Sequence, residues 1–342
     1  MIQERKNEHV KICLEKKVQA SKNYWENVHL IHNALPEINK DEISTSTKLF
    51  GKRLKAPIII AGMTGGFQGA KKINENLAEA ASILGIGFGV GSQRAGIENK
   101  SLEETYSVVK KYDVPFVIAN IGAPQLVKQG NKKPLSIREI NDAIRMVDAD
   151  CLAVHLNFLQ EIVQNGDTNA KGCLNAIETI KKSMKKPIIL KETGAGISFE
   201  IARKIKKLKT GVDVGGLGGT SFAGVEYYRA KNEMQRRIGK TFWDWGIPTP
   251  ASVLNCKKAG IKNIVATGGI RTGLDGAKAI ALGADCFGMA YLLLKPATKN
   301  AKAVIEELKI FIEELRSTMF LVGAKNIREL KEKTVIMDFM WE

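Results

Sequence analysis

The sequence predicts a (β/α)8 TIM barrel carrying an N-terminal extension and an insertion after the sixth strand. Three observations lead there. Eight short apolar runs alternate with eight amphipathic helical stretches, the runs are apolar throughout rather than at every second position, and glycine-rich ends recur at nearly every unit. Strands buried on both faces belong to a parallel sheet, which helices cover and which can close on itself. An open doubly wound sheet competes less well, because the first strand-to-helix turn, M-T-G-G-F-Q-G at 63–69, lacks G-x-G-x-x-G.

In chain order the strands are expected at 57–63 (PIIIAGM), 85–91 (GIGFGVG), 115–120 (PFVIAN), 150–156 (DCLAVHL), 187–192 (PIILKE), 211–215 (GVDVG), 263–268 (NIVATG) and 285–289 (DCFGM). Helical patterns lie at 71–84, 102–112, 137–147, 173–184, 199–208, 251–259, 274–282 and 301–320. Two stretches interrupt the rhythm, 218–246 after strand six and the polar 160–171 after strand four. Both fall on the C-terminal side of strands, where barrels build their sites. The expected organisation is a segment 1–56, with a helix from Arg5 to Gln19 and a short strand pair closing the barrel bottom, then the barrel at 57–320 and a tail at 321–342 packed on it.

The 342 residues have room for one large barrel or two ordinary domains, and 44% hydrophobic with 26% charged residues excludes disorder as the main state. No stretch approaches the ~18 consecutive apolar residues of a membrane span, and the charged start MIQERKNEHVK lacks a signal-peptide core. A soluble, cytoplasmic protein with no membrane partner is expected. Five cysteines without a C-x-x-C pair indicate neither a disulfide framework nor a thiolate metal site. The formal charge is +16, but lysine pairs are scattered over the helical segments and aromatics make up only 6%. Nucleic acid is not expected as a partner, whereas anionic small substrates are favoured.

In a barrel, polar residues after the strands converge on one mouth. Here they are Thr64, Ser92 with Gln93 and Arg94, Asn120, His155 with Asn157, Gln160 and Glu161, Lys191, and Thr220 with Ser221. Gly268-Gly269 with Arg271 after strand seven, and Met289-Ala290 after strand eight, make a phosphate grip of backbone N–H groups and helix N-termini. Lys191 can be a Schiff-base nucleophile, a fixed cation facing a developing anion, or a structural partner for Glu192. His155 alone could be a core histidine, but it opens the dense polar set HLNFLQE. Glu161 is the only carboxylate in that set and suits a Mg2+-like cation completed by substrate oxygens, with Asp167 a possible helper. Arg5, Lys6 and His9 fall within about one helical turn; by themselves they read as an exposed basic helix start.

Together the motifs resemble the type 2 isopentenyl-diphosphate delta-isomerases, flavin-dependent barrel enzymes. The matching pieces are RKNEH (5–9), PIIIAGMTGG (57–66), GVGSQR (89–94), ANIGAPQ (119–125), HLNFLQEIVQ (155–164), ILKETGAGIS (189–198), GGLGGTSFAGVE (215–226), DWGIPT (244–249) and ATGGIRTGLDGAKAIALGAD (266–285). The resemblance implies FMN across the mouth, its phosphate on Gly268, Gly269, Arg271 and Ala290 with Thr220 contributing. Met63, Thr64, Ser92 and Asn120 would border the ring, and Lys191 would face its N1/O2 edge. It further implies a substrate diphosphate gripped by Arg5, Lys6, His9, Ser92 and Arg94, with His155 and Asn157 nearby, Mg2+ bridging to Glu161, and Gln160 beside the reacting alkene. The catalytic residues would be Gln160, Lys191 and His155.

The implied activity is interconversion of isopentenyl and dimethylallyl diphosphate in isoprenoid biosynthesis, by allylic proton transfer with FMN reduced by NADPH or NADH. A homotetramer or larger homo-oligomer is implied as well. Phe158, in a position where proline is commoner, and the loop NGDTNAKG after Gln164 depart from the pattern and bear on Asp167. The alternative reading is an FMN-dependent α-hydroxy-acid oxidase or dehydrogenase. It needs a histidine base late in the barrel, whereas all four histidines, at 9, 29, 32 and 155, lie in the first half. A flavin-free aldolase using Lys191 and a non-catalytic basic protein are the remaining rivals.

Overall fold

Eight parallel strands close into a barrel in this computed structural model, which describes residues 2–338. The barrel strands are β1 Ile58–Ile60, β2 Gly87–Gly89, β3 Phe116–Gly122, β4 Cys151–Leu156, β5 Ile188–Glu192, β6 Gly211–Asp213, β7 Ile264–Thr267 and β8 Cys286–Met289. Each pairs with its sequence neighbour, and β8 closes on β1 through Phe287↔Ile58, Gly288↔Ile59 and Met289↔Ile60. All eight expected strands are present.

Continuous apolarity has a direct cause. Alternate residues of a strand point to opposite faces, and here the two sets enter two separate cores. Ile59, Phe116, Ile118, Cys151, Ala153, Ile189, Val265 and Cys286 fill the barrel interior. Ile58, Ile60, Val117, Ala119, Leu152, Val154, Ile188, Leu190, Ile264 and Phe287 pack outward under the helices. The interior core is completed from below by Leu49 and Leu54, both fully buried, of the antiparallel pair Thr47–Leu49 and Lys52–Leu54. Both residues of the connecting turn, Phe50 and Gly51, have positive φ (48° and 83°), as a tight hairpin requires. Phe50 is held there by its N–H to Asn263 Oδ1 (2.8 Å) and by stacking on Phe116 at 6.2 Å.

Helices begin where the sequence offers caps. Ser136 and Glu139 form a reciprocal capping box for Ile137–Val147, Ser198 caps Phe199–Leu208, and Asn300 caps Ala301–Leu321. Two expectations need correction. The N-terminal helix spans Ile2–Glu15, and Gln19 instead bridges antiparallel to Thr220. The stretch 102–112 is a set of short turns, Lys100–Leu102, Glu104–Ser107 and Val108–Lys111, because Tyr106 and the adjacent β-branched pair Val108-Val109 all bury inward. The insertion 218–246 contains two helices, Phe222–Arg229 and Glu233–Thr241. Beyond the long helix, Ile327–Lys331 is helical, and Val335–Met337 pairs antiparallel with Val28–Leu30. Residues 339–342 of the expected tail lie outside the described residues. No helix among the described residues is long and apolar enough to cross a membrane.

The hairpin plug generates a stability prediction. Leu54→Ala should cost about 2–5 kcal/mol through lost burial and an unfilled cavity, measured as a lower urea midpoint with an unchanged slope.

Candidate active site

The period of two that buries Cys151 and Ile189 below also carries His155 and Lys191 into the interior above. Strand register aligns His155 with Lys191 and Lys191 with Asp213. One cavity of about 310 Å³ opens at this C-terminal end. Most residues singled out from the sequence line it: Arg5, Lys6, His9, Met63, Thr64, Ser92, Arg94, Asn120, His155, Asn157, Gln160, Glu161, Lys191, Thr220, Gly268, Gly269, Arg271 and Ala290; Gln93, Asp167 and Ser221 do not.

Lys191 donates from Nζ to Asp213 Oδ2 at 2.7 Å, and both side chains are largely buried. Glu192 therefore does not serve as its partner. Being next along the strand it points to the other face, where it accepts N–H groups of Gly194, Ala195 and Gly196 at 2.6, 2.5 and 3.1 Å. Burial still pushes the Glu192 carboxyl up to about 7, against those donors. His155 Nδ1 lies 2.8 Å from Asn120 Oδ1, while Asn120 Nδ2 donates to Val90 O at 3.0 Å. The asparagine oxygen must accept, so the ring carries its proton on Nδ1 and leaves Nε2 unprotonated. Burial, with the positive charges of Lys191 and Lys6 adding, drives its pKa down to about 3, and the ring is neutral.

At the opposite rim the N-terminal helix crosses the mouth. Lys6 Nζ donates to Ser92 O (2.5 Å) and Tyr106 Oη (2.7 Å). Burial, followed by the neighbouring Arg5 charge, lowers its pKa to about 7. His9 Nε2 contacts Glu226 Oε1 at 2.7 Å, and Arg229 donates to Glu226 Oε2 at 2.5 Å and Glu8 Oε2 at 2.7 Å. Burial alone would raise the Glu226 carboxyl, but His9 and Arg229 bring it below its ordinary value. Arg94 is held between Asp167 (2.6 Å) and Glu98 (2.7 Å). Asp167 also pairs with Lys132 at 3.3 Å, and these cations outweigh its burial and lower its pKa. Its carboxylate is thus committed to cations of the chain. Glu161, buried, accepts from Asn157 Nδ2 (3.0 Å), Gln164 Nε2 (2.5 Å) and Asp167 N–H (2.8 Å). Among the described residues no three His, Cys, Asp or Glu side chains cluster to hold a metal by themselves.

Several buried polar atoms at the mouth lack protein partners: Thr64 Oγ1, Asn157 Oδ1, Thr267 Oγ1 and Asp213 Oδ1. Such atoms are costly unless something else satisfies them. Asp213, Glu226 and Tyr106 are functional neighbours that the sequence patterns do not single out. Asp213 follows Gly211-Val212 at the level where β3, β4 and β5 offer the inward polar residues Asn120, His155 and Lys191, so the period of two could have found it. Glu226 sits in an inserted helix past the glycine-rich turn after β6, with no such signal.

The neutral His155 is testable by nitrogen NMR. Its ring should show protonated Nδ1 and unprotonated Nε2 from pH 5 to 8, with no titration in that range.

The model of the FMN-dependent dehydrogenase family matches residues 11–109 and 244–337. Curated relatives extend through the middle as well. The isopentenyl-diphosphate delta-isomerase of Archaeoglobus fulgidus is 47% identical over 330 residues, covering 96% of this chain and 93% of its own. That of Thermoplasma acidophilum is 48% identical, covering 99% and 97%, and that of Pyrococcus furiosus 44%, covering 97% and 86%. Among solved structures, a mandelate oxidase mutant with a monooxide FMN adduct superposes with a TM-score of 0.64 at 17% identity, over 93% of this chain and 90% of that one. A flavocytochrome b2 mutant with pyruvate bound reaches 0.69 at 16%, over 96% and 82%. At those identities the two structures share the fold alone. With identity near half over almost the entire length, this chain belongs to the FMN-dependent isopentenyl-diphosphate delta-isomerase family.

Proposed function

We propose that the barrel mouth interconverts isopentenyl and dimethylallyl diphosphate, with FMN held in reduced form by NADPH or NADH and with Mg2+ on the substrate. The observation that carries this is the 47–48% identity to named isomerases over 96–99% of the chain. The hydroxy-acid oxidase reading lacks a histidine near Gly268-Gly269, since the ring at the mouth's inner tier is His155 on β4. The aldolase reading is disfavoured by Lys191 itself, whose Nζ is engaged as an ammonium by Asp213 at 2.7 Å.

The residues present suit a flavin phosphate and ring. Gly268 and Gly269 have φ of 122° and 73°, and a Cβ on Gly268 would meet Gly216 O at 2.3 Å. Only glycine leaves their backbone open to an anion there. Helix Tyr291–Lys299 starts beside them and adds the positive end of its dipole. Orphaned Thr64 Oγ1 and Thr267 Oγ1 offer hydrogen bonds deeper in. For Mg2+ the donors are Glu161 and the unpartnered Asn157 Oδ1, a one-carboxylate set that substrate oxygens would complete. Arg5, Lys6, His9 and Arg94 would hold the diphosphate at the other rim, Arg94 being already oriented by its two carboxylates.

When bound, the reduced flavin supplies an electron-rich ring that can exchange a proton with the alkene and stabilise its cationic character. Lys191, held by Asp213, would set positive charge against the pyrimidine edge of that ring. Gln160 orients the alkene and the proton exchange, and neutral His155 presents Nε2 as an acceptor without adding a charge that would oppose a cation. The N-terminal helix, drawn over the mouth by the His9–Glu226 contact, keeps water from the reacting carbons. A homo-oligomer and a cytoplasmic location belong to the same proposal.

Under anaerobic conditions, protein with FMN, NADPH and Mg2+ should convert isopentenyl diphosphate to dimethylallyl diphosphate, and Lys191→Ala should lower kcat by roughly 10²–10³-fold. Absence of conversion, with oxidation of lactate or mandelate in its place, would overturn the proposal.

A second prediction concerns pH. Lys6 is depressed to about 7 in the free protein, and a bound anion favours its ammonium form. Substrate binding should therefore take up a proton near neutrality. Affinity should be greatest below pH 7 and fall by up to about tenfold per unit above it, a slope that titration calorimetry should find reduced in Lys6→Arg.

A further inference from the structure

The phosphate grip is shaped by a residue that does not line the cavity. Trp25, only 1% exposed, donates from its indole Nε1 to Gly268 O at 2.9 Å. The carbonyl of Trp25 itself is gripped by Lys278 Nζ at 2.8 Å, a buried lysine of the helix that follows the grip. Within a trans peptide the C=O and the next N–H point in opposite directions. Holding Gly268 O toward the indole therefore turns the Gly269 N–H away from it. The peptide is packed from the same side: a Cβ on Gly269 would lie 2.7 Å from Gly218 O and 2.8 Å from Asn23 Oδ1. The segment 18–25 that carries Trp25 is tied down beside it, by Ala20 N–H to Gly219 O and Ser221 N–H to Val18 O, both 2.7 Å.

We propose that Trp25 is a positioning residue that sets the Gly268–Gly269 peptide plane for a phosphate monoester, so that preference for FMN over riboflavin is built from the N-terminal segment. The proposal rests on the flavin reading given above. Without the indole donor, Gly268 O loses this partner, both peptide orientations become accessible, and the phosphate loses an aimed N–H. The rest of the flavin bed is untouched.

Flavin-depleted full-length protein is titrated with FMN and with riboflavin, following flavin fluorescence. Trp25→Phe should weaken FMN by roughly tenfold, the effect of one lost buried hydrogen bond, and leave riboflavin unchanged. Lys278→Met, which frees the other end of the same chain of contacts, should lower the FMN/riboflavin preference in the same direction and serves if Trp25→Phe does not fold. Equal weakening of both ligands, or an unchanged preference, overturns the role of Trp25 while leaving the flavin reading intact. A wild-type protein that binds riboflavin as tightly as FMN overturns both.

Discussion

A strand in a closed parallel barrel has one inward face, and residues two apart share it. That period of two governs the site, because the barrel interior can be apolar only as far up as it can be filled. Phe116, Ile118, Cys151, Ala153 and Ile189 fill the lower tiers and, with Leu49 and Leu54, shut out water from below. The next inward positions, Asn120, His155, Lys191 and Asp213, are polar and close to dry. In such a place each group must satisfy another. Lys191 does so with Asp213 and His155 with Asn120; the second bond fixes which ring nitrogen is protonated, while burial and the nearby lysine charges keep that ring neutral. A one-residue slip in any of these strands would exchange the two faces and dismantle the tier.

The mouth is finished by chain from outside the barrel. The N-terminal helix contributes Lys6 and His9, the strap after it runs beside Gly219–Ser221, and the inserted helix Phe222–Arg229 supplies Glu226 to receive His9. The basic side chains at this rim are pre-set in different ways. Arg94 is oriented by two carboxylates, His9 by one, and Lys6 by neutral oxygens that leave its charge poorly compensated. Most of the +16 formal charge has no share in this, lying on exposed helix faces where ion pairs such as Lys204–Glu200 and Lys182–Glu178 contribute little.

Much of this architecture is legible in the amino-acid sequence. Strand positions follow from apolar runs and helix starts from Ser136, Ser198 and Asn300, because local patterns determine both. The lining residues are legible too, since position at a strand end is a property of sequence once the barrel is recognised. Pairings are not. Nothing near Lys191 in sequence marks Asp213, 22 residues on, as its partner in place of adjacent Glu192. Asp167 reads as a possible metal helper until Arg94, 73 residues earlier, is seen to hold it. The turns at 100–111 are hidden because helix periodicity there is overridden by the need to bury Tyr106, Val108 and Val109 together.

On the proposed function, this tier and the two anion-binding rims would bring a reduced flavin and an isoprenoid diphosphate into one cavity. The visible spectrum of the purified protein with FMN, recorded after anaerobic reduction and again after adding isopentenyl diphosphate, tests it most directly. The account predicts a bound flavin whose reduced spectrum changes when the diphosphate arrives. A protein that takes up no FMN, or a reduced spectrum indifferent to isopentenyl diphosphate, would contradict it.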